Sequence, residues 1–396
     1  MKNTKRLKSL KRMKGGKYLS KGSYGCVVRP AIPCATKKRL PMNLDKYVSK
    51  IIRNPDYHLD NEILISTILS NSDLKNQYFL TIIDHCNMNN IPSTRNNIAK
   101  AVFYGKKKDE FTLVENNRKI DKEKICPIDI SKTPVNIIMP YGGYDLDKIV
   151  RYTKYGPKFQ YLKPMIFEFV KNLKKYFKHT VLGLIIIHKN RIAHRDIKQG
   201  NFLVDYKDAT KTELIIRYTD FGLSDFLSAG FVANIDNIRW RGTRRYIPSE
   251  IFATTTIIDG LSSGYDTSYM LKRFNESTNE NVKKLSEIIE DSKIYEQYLN
   301  TRVQLFNDVL EHVKKDKILP IFFGTDKNKF NGYLQKGDVY ALAATIYETL
   351  REHTYYNDPT YMIEPILKDL LYNMMDMNPK TRYNAVQTLN HPYFSI

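Results

Sequence analysis

His194-Arg195-Asp196-Ile197-Lys198-Gln199-Gly200-Asn201 is the stretch on which the reading of this chain turns. It follows a long segment of helical periodicity and precedes the apolar, strand-like run Phe202 to Val204. An Asp, a Lys two residues on and an Asn five residues on could form a base, a phosphate clamp and a metal ligand on one short loop. The plainer reading is a charged surface loop. Against it stands Asp220-Phe221-Gly222, nineteen residues after Asn201 and directly behind the strand-like Leu214 to Tyr218. Far upstream, Leu19-Ser20-Lys21-Gly22-Ser23-Tyr24-Gly25-Cys26-Val27-Val28 sets two glycines among residues that favour extended structure. A turn of that kind approaches a phosphate closely and leaves backbone N–H groups free for its oxygens, although an ordinary hairpin uses the same pattern.

Working outward, Tyr18 to Pro30 reads as strand, glycine turn, strand, and residues 46–53 as another short strand. A helix over Glu62 to Leu69 takes Asp60 or Asn61 as cap. Further strand candidates are Phe79 to Ile83 and Val135 to Met139, and the polar stretch between them, about residues 86–133, reads as a loop-rich insertion. From Pro164 the apolar residues recur at three and four positions through Ile185, and residues 339–351 and 364–376 carry the same signal. The expected fold class is α+β in two lobes, strand-rich first and helix-rich second. No internal repeat is present.

In order and spacing these segments resemble the signature set of the eukaryotic-type protein kinases, from about residue 18 to residue 394. The resemblance implies a basic tail over residues 1–17, an N-lobe over 18–139 carrying the insertion, and a hinge and C-lobe over 140–396 with a second insertion at about 254–332. It implies that Leu19, Ser20, Lys21, Gly22, Ser23, Tyr24, Gly25, Cys26 and Val27 form the loop covering the phosphates of ATP. Lys50 would hold the α- and β-phosphates, with Glu62 as its ion-pair partner. Met139-Pro140-Tyr141-Gly142 is similar to the hinge that meets adenine, and Asp145 stands where an acid commonly meets the ribose. Asp196 would accept the proton of the substrate hydroxyl, Lys198 would steady the γ-phosphate, and Asn201 with Asp220 would hold Mg2+. The chemistry agrees with that assignment, because phosphoryl transfer asks for in-line positioning and charge neutralisation, and magnesium takes oxygen ligands. His194 is expected to be structural.

The resemblance continues to the end of the chain. Gly242 to Glu250, G-T-R-R-Y-I-P-S-E, is similar to the close of the activation segment, Asp338 to the helix aspartate that braces the catalytic loop, and Arg382 to the arginine that pairs with Glu250. Lys198 and Thr243 together point to Ser/Thr acceptors on protein substrates. Ser20 departs from the first loop glycine, Ser66 falls where an apolar residue is usual, and 88 positions separate Glu250 from Asp338. Within that long interval Val282, Leu285, Ile289, Tyr295, Leu299, Val303, Phe306, Leu310 and Val313 keep mostly helical spacing, which suits packing on the C-lobe or a docking element. Between Asp220 and Gly242 the only hydroxyl residues are Ser224 and Ser228, so activity without loop phosphorylation is expected. A pseudokinase scaffold is the alternative reading, and retention of Lys50, Asp196, Asn201 and Asp220 argues against it.

Composition sets the frame. The 396 residues are 42% hydrophobic and carry a formal charge of +21, enough apolar content for a large core. The first seventeen residues hold eight basic side chains and no acid. Contact of this tail with nucleic acid or an anionic surface rests on charge alone. Four cysteines at irregular spacing suggest neither a disulfide framework nor zinc, and favour a reducing compartment. No apolar run approaches a membrane span and no signal-peptide core follows the basic start. The expectation is a soluble, intracellular protein. The R-P-A-I-P-C run, the large insertion and the abundance of Lys, Asn, Ile and Tyr resemble kinases of large DNA viruses (giant viruses), which implies host cytoplasm or virion.

Overall fold

The computed structural model describes residues 17–21, 25–34, 43–52, 57–88, 114–115, 118–119, 133–227, 242–276, 300, 303–311 and 327–395. The chain divides into two compact units, one of Met1–Asp60 with Leu80–Tyr141, the other of Asn61–Phe79 with Gly142–Ile396.

The first unit is built on strands β1 (Lys17–Lys21), β2 (Gly25–Arg29), β3 (Tyr47–Ile52) and β4 (Asp84–Asn87), a short ribbon of β5 (Val114–Glu115) and β6 (Arg118–Lys119), and β7 (Val135–Pro140). Five of them form one antiparallel sheet in the order β1-β2-β3-β7-β4. Val135 to Met139 is buried throughout, as the near-continuous apolar run of an inner strand requires. Gly25 lies so close to β3 that an added Cβ would fall 1.8 Å from the Ile51 carbonyl oxygen. Packing between strands alone therefore demands this glycine, whatever else the loop does.

The strand expected over Phe79 to Ile83 is not there. Phe79 makes an isolated parallel bridge to Tyr218, and the paired strand is β4, five residues further on. Phe79, Leu80 and Thr81 are apolar or small because they are buried, and burial without ladder pairing reads in sequence like a strand. Helix α1 runs over Tyr57–Ser72, starting before the expected Glu62. The polar stretch after β4 falls largely outside the described residues.

The second unit holds β8 (Tyr144–Asp145), β10 (Phe202–Tyr206) and β11 (Leu214–Tyr218) in the order β11-β10-β8, and the pair β9 (Ile192–Ala193) with β12 (Asp225–Phe226). Its helices include α2 (Leu146–Val150), α3 (Lys163–Lys171), α4 (Leu173–Lys189), α5 (Ser249–Ser262), α6 (Lys327–Tyr356), α7 (Pro365–Met374) and α8 (Ala385–Leu389). The single periodic run from Pro164 is thus two helices. Asn172 leaves helical geometry between them, and its side chain donates to Glu168 Oε1 at 2.9 Å. Residues Asp338 to Leu350 of α6 are buried all round, the mark of a helix inside a core rather than on its surface.

Part of the long interval after Glu250 is described. Residues 267–276 and 303–311 are helical, and Met270, Phe274, Phe306, Val309 and Leu310 share one core with Ile251, Phe252, Ile257 and Leu334. Those two pieces therefore pack on the helical unit. Val282, Leu285, Ile289, Tyr295, Leu299 and Val313 lie outside the described residues, as does the tail over 1–16. Among the described residues no helix is long and apolar enough to cross a membrane.

One expectation is overturned. Cys34 and Cys86 form a disulfide with Cα atoms 5.8 Å apart, Cys26 is disulfide-bonded too, and no cysteine among the described residues is free. Ile32 donates its N–H to Ser49 Oγ on β3 and accepts from Asn136 Nδ2 on β7, so the segment after β2 crosses the sheet toward β4. That crossing unites cysteines 52 positions apart, which spacing in the sequence does not reveal. The expectation of a reducing compartment loses its basis. A chain cross-linked over 52 residues loses unfolded-state entropy worth about 4 kcal/mol. Non-reducing peptide mapping should recover a Cys34 peptide joined to a Cys86 peptide, and C34S/C86S should melt at a lower temperature; separate peptides in unreduced protein would contradict the bond.

Candidate functional site

The loop between β9 and β10 carries most of the predicted site residues, and its shape follows from a buried carboxylate beneath it. Asp338, in α6, accepts the backbone N–H of His194 at 2.7 Å and that of Arg195 at 2.8 Å, one on each oxygen. His188 Nε2 lies 3.3 Å from the same carboxylate. Arg195 takes φ +64, a left-handed conformation that costs a non-glycine residue about 1–2 kcal/mol. Gly242, itself at φ +98, closes over this turn, and a Cβ there would stand 2.5 Å from the Arg195 carbonyl oxygen.

Asp196 is buried at the centre. Its Oδ1 accepts from the N–H of Thr243 at 2.9 Å and the hydroxyl of Thr243 at 3.0 Å, and its Oδ2 accepts from Lys198 Nζ at 2.6 Å and Asn201 Nδ2 at 3.0 Å. Lys198 Nζ also donates to Thr243 Oγ1 at 2.8 Å. Asn201 Nδ2 bonds the Asp196 carbonyl at 2.8 Å, so its amide nitrogen is committed within the loop and its oxygen is what it has to offer a cation. The backbone N–H of Thr219 donates to the Asn201 carbonyl at 3.0 Å, which sets Asp220 beside Asn201. Asp220 also stands at φ +64.

Asn201 and Asp220 supply hard oxygen donors of the kind magnesium prefers. No group of three or more His, Cys, Asp or Glu able to hold a metal ion exists among the described residues. The donor set therefore suits a cation that shares its coordination with phosphate oxygens and water, and does not suit a closed all-protein cage.

Around this centre, His194 is buried with its ring 4.9 Å from that of Phe221, centroid to centroid. Glu62 is buried in α1, and a Cβ on Gly222 would lie 3.4 Å from its Oε2, which places the carboxylate against the Asp220-Phe221-Gly222 turn. Ser66, the polar residue one helical turn on, is buried between the core residues Ile65 and Leu69. Asp145 caps α2 by accepting the Lys148 N–H at 2.7 Å, and on β8 it pairs with Leu203. Burial pushes the Asp145 carboxyl above the usual carboxylate range, with Lys148 pulling part of the way back.

The other predicted residues belong to the first unit. Leu19, Ser20 and Lys21 lie on β1 and Gly25, Cys26 and Val27 on β2, whereas Gly22, Ser23 and Tyr24 fall outside the described residues. Lys50 is on β3, opposite Val27 on one side and Ile137 on the other. Tyr141 donates its N–H to the Lys46 carbonyl at 2.9 Å, and its ring lies under the Arg29 guanidinium at 3.8 Å.

Two supports escaped the sequence. Gln199 donates to Thr349 Oγ1 and Glu352 Oε2, both at 3.1 Å, and Glu352 is bonded in turn to Arg151, which reaches Asp147 at 3.0 Å. Arg195 forms an ion pair with Asp225 on β12. Neither is visible in a linear pattern, since each joins residues thirty or more positions apart. The third support was expected: Arg382 grips Glu250 with two bonds of 2.7 and 3.0 Å, both side chains fully enclosed.

Comparison with known proteins shows the family to which this fold belongs. The Protein kinase domain model matches residues 135–394, and the chain belongs to the protein kinase family. It is similar to two proteins of Dictyostelium discoideum named "Probable serine/threonine-protein kinase fhkE" and "Mitogen-activated protein kinase kinase kinase A". Each is 35% identical over 83 residues, which is 21% of this chain and 11% and 8% of theirs. The chain thus spans only a small fraction of these curated relatives' length.

Two outcomes follow for stability. Because its carboxyl is raised in the fold, Asp145 binds its proton more tightly than in the unfolded chain, so its ionised form costs stability above the ordinary carboxylate range. Asp145→Asn keeps the cap and removes that cost; urea unfolding should show it at least as stable as the parent at neutral pH, the advantage vanishing below pH about 4. Asp145→Ala should lose about 1 kcal/mol with the cap. Arg382→Met leaves Glu250 buried and unpaired and should cost about 3–5 kcal/mol, a loss that R382M/E250L should largely relieve.

Proposed function

We propose that the protein transfers the γ-phosphate of ATP to Ser or Thr hydroxyls of protein substrates. The observation that carries the proposal is the arrangement at Asp196: a buried carboxylate fixed at both oxygens by Thr243, Lys198 and Asn201, with the Asn201 carbonyl in turn accepting the backbone N–H of Thr219. A base so held is oriented before the substrate arrives, which is the main contribution a protein makes to this reaction.

In this reading Asp196 accepts the proton of the attacking hydroxyl. Lys198, whose ammonium already bridges Asp196 and Thr243, turns toward the transferred phosphoryl group as negative charge builds on it. Asn201 and Asp220 would hold Mg2+, which when bound neutralises charge on the phosphate oxygens. Leu19 to Val27, Lys50, Tyr141 and Asp145 would take the nucleotide, and Glu62 would pair with Lys50. The Ser/Thr preference rests on Lys198 and Thr243, which share a hydrogen bond at 2.8 Å in the same polar cluster as the base. The similarity to a protein named as a probable serine/threonine-protein kinase supports the same direction. Kinship with kinases of large DNA viruses remains a reading of the R-P-A-I-P-C run, the insertion and the composition.

Transfer of labelled γ-phosphate to a generic protein substrate, followed by phosphoamino-acid analysis, tests this reading. The product should be phosphoserine or phosphothreonine, and Asp196→Asn should lower kcat by about two to four orders of magnitude. Equal signal from both proteins would remove Asp196 from its role, and phosphotyrosine would overturn the substrate class.

A further inference from the structure

Arg195 and Asp225 are the charged pair beside the base that the proposed reaction does not use. Their side chains are only 5% and 10% exposed, and the ion pair is closed. Asp225 is not a chance neighbour. It lies on β12, where it pairs with Ala193 on β9, and the strand is pinned on both sides. Leu227 donates its N–H to the Arg191 carbonyl at 2.7 Å, and Ser224 Oγ donates to the His194 carbonyl at 3.0 Å.

The pair acts on a strained residue. Arg195 stands at φ +64, and such a conformation persists in a non-glycine residue only where the surroundings enforce it. Asp338 enforces it through the backbone, by accepting the N–H of His194 and of Arg195. Asp225 enforces it through the side chain, by fixing the guanidinium. The turn so held points the next carboxylate, Asp196, at Thr243, Lys198 and Asn201.

From this we infer that Asp225 is a positioning residue for Asp196, acting through Arg195, and that it supplies from within the chain the anion the arginine needs. The inference rests on the phosphotransfer reading above. It also gives a physical reason for activity without loop phosphorylation: the arginine has a carboxylate already. Of the two hydroxyl residues between Asp220 and Gly242, Ser224 is completely buried and bonded, so modification there would break the very contact that holds β12.

The experiment uses the full chain and reads two signals, turnover on a protein substrate and amide hydrogen exchange over residues 191–201 without nucleotide. Asp225→Ala should lower kcat about tenfold to a hundredfold, the range expected for a misplaced catalytic group, with KM for ATP changed by less than about threefold. Exchange at residues 194–197 should speed up. Since Asp225→Ala takes the carboxylate away from a buried guanidinium, R195A/D225A is the folding control; it should fold as the parent does and lose no more turnover than Arg195→Ala alone. R195G/D225A should recover part of the loss, because glycine takes φ +64 without strain. A purely structural pair would show no such rescue. Phosphatase treatment of the parent should leave kcat unchanged.

Unchanged kcat in Asp225→Ala, additive losses in R195A/D225A, unchanged exchange at 194–197, or a phosphatase-sensitive parent would each overturn the inference. If the parent itself transfers no phosphate, the phosphotransfer reading fails, and the exchange data alone then decide whether Asp225 holds the turn.

Discussion

The carboxylate of Asp338 is the constraint on which the helical unit's chemistry depends. It is a buried charge with N–H donors from two successive residues, His194 and Arg195, and a histidine nitrogen alongside. A carboxylate enclosed in this way is costly unless its oxygens are bonded, and here the donors that satisfy it are the backbone of the loop itself. The loop cannot leave without exposing the helix to an unpaired charge, and the helix cannot shift without releasing the loop. Because α6 is buried all round over this stretch, it offers a rigid platform from which a strained turn can be held. The left-handed residue at 195, the glycine that closes over it and the orientation of Asp196 all follow from that one anchorage.

The same logic extends through the surrounding charges. Glu250 and Arg382 are wholly enclosed and grip each other bidentately, tying the segment from Gly242 onward to the C-terminal helices. Gln199 reaches Thr349 and Glu352, and so ties the loop's far end to the same long helix that carries Asp338. A polar network of this kind contributes less to net stability than an apolar core of equal volume, but it tolerates one geometry only. That is the property a positioned base requires. Tyr333 and Tyr340 fit this picture, their hydroxyls held firmly protonated by burial close to the Glu250–Arg382 pair.

How much of this was legible in the sequence depends on the range of the interaction. Asp196, Lys198 and Asn201 sit within six positions on one loop, and residue type with spacing was enough to find them. The Glu250–Arg382 pair spans 132 positions and was legible only through the family resemblance. Asp225 and Gln199 were missed because their meaning lies in what they touch, and nothing local marks them. The strand assigned to Phe79 through Ile83 failed for a related reason: burial dictates apolar residues whether or not the backbone is paired, so composition alone cannot tell a core-filling segment from a strand. The break at Asn172 was hidden by unbroken apolar periodicity, which follows the face a helix presents and says little about its continuity.

The cysteines show the limit most sharply, and also explain something about the first unit. Its described part is built mainly on one antiparallel sheet, and the buried apolar residues of that sheet include Val28 on β2, Val48, Ile51 and Ile52 on β3 and Val135, Ile137, Ile138 and Met139 on β7, with Ala31 and Ile32 on the crossing segment. A unit of that size removes less apolar surface from water per residue than the helical one does, and has correspondingly less to set against chain entropy. The Cys34–Cys86 bond lies in a small cluster with Ala31 and Ile138, where the crossing segment would otherwise be held by the Ser49 and Asn136 hydrogen bonds and little else. A covalent link at that point restrains the unfolded chain and fixes the crossing over the sheet without demanding more core. The helical unit, with its long buried helix and enclosed ion pairs, has no such need, and all four cysteines of the chain fall before residue 127.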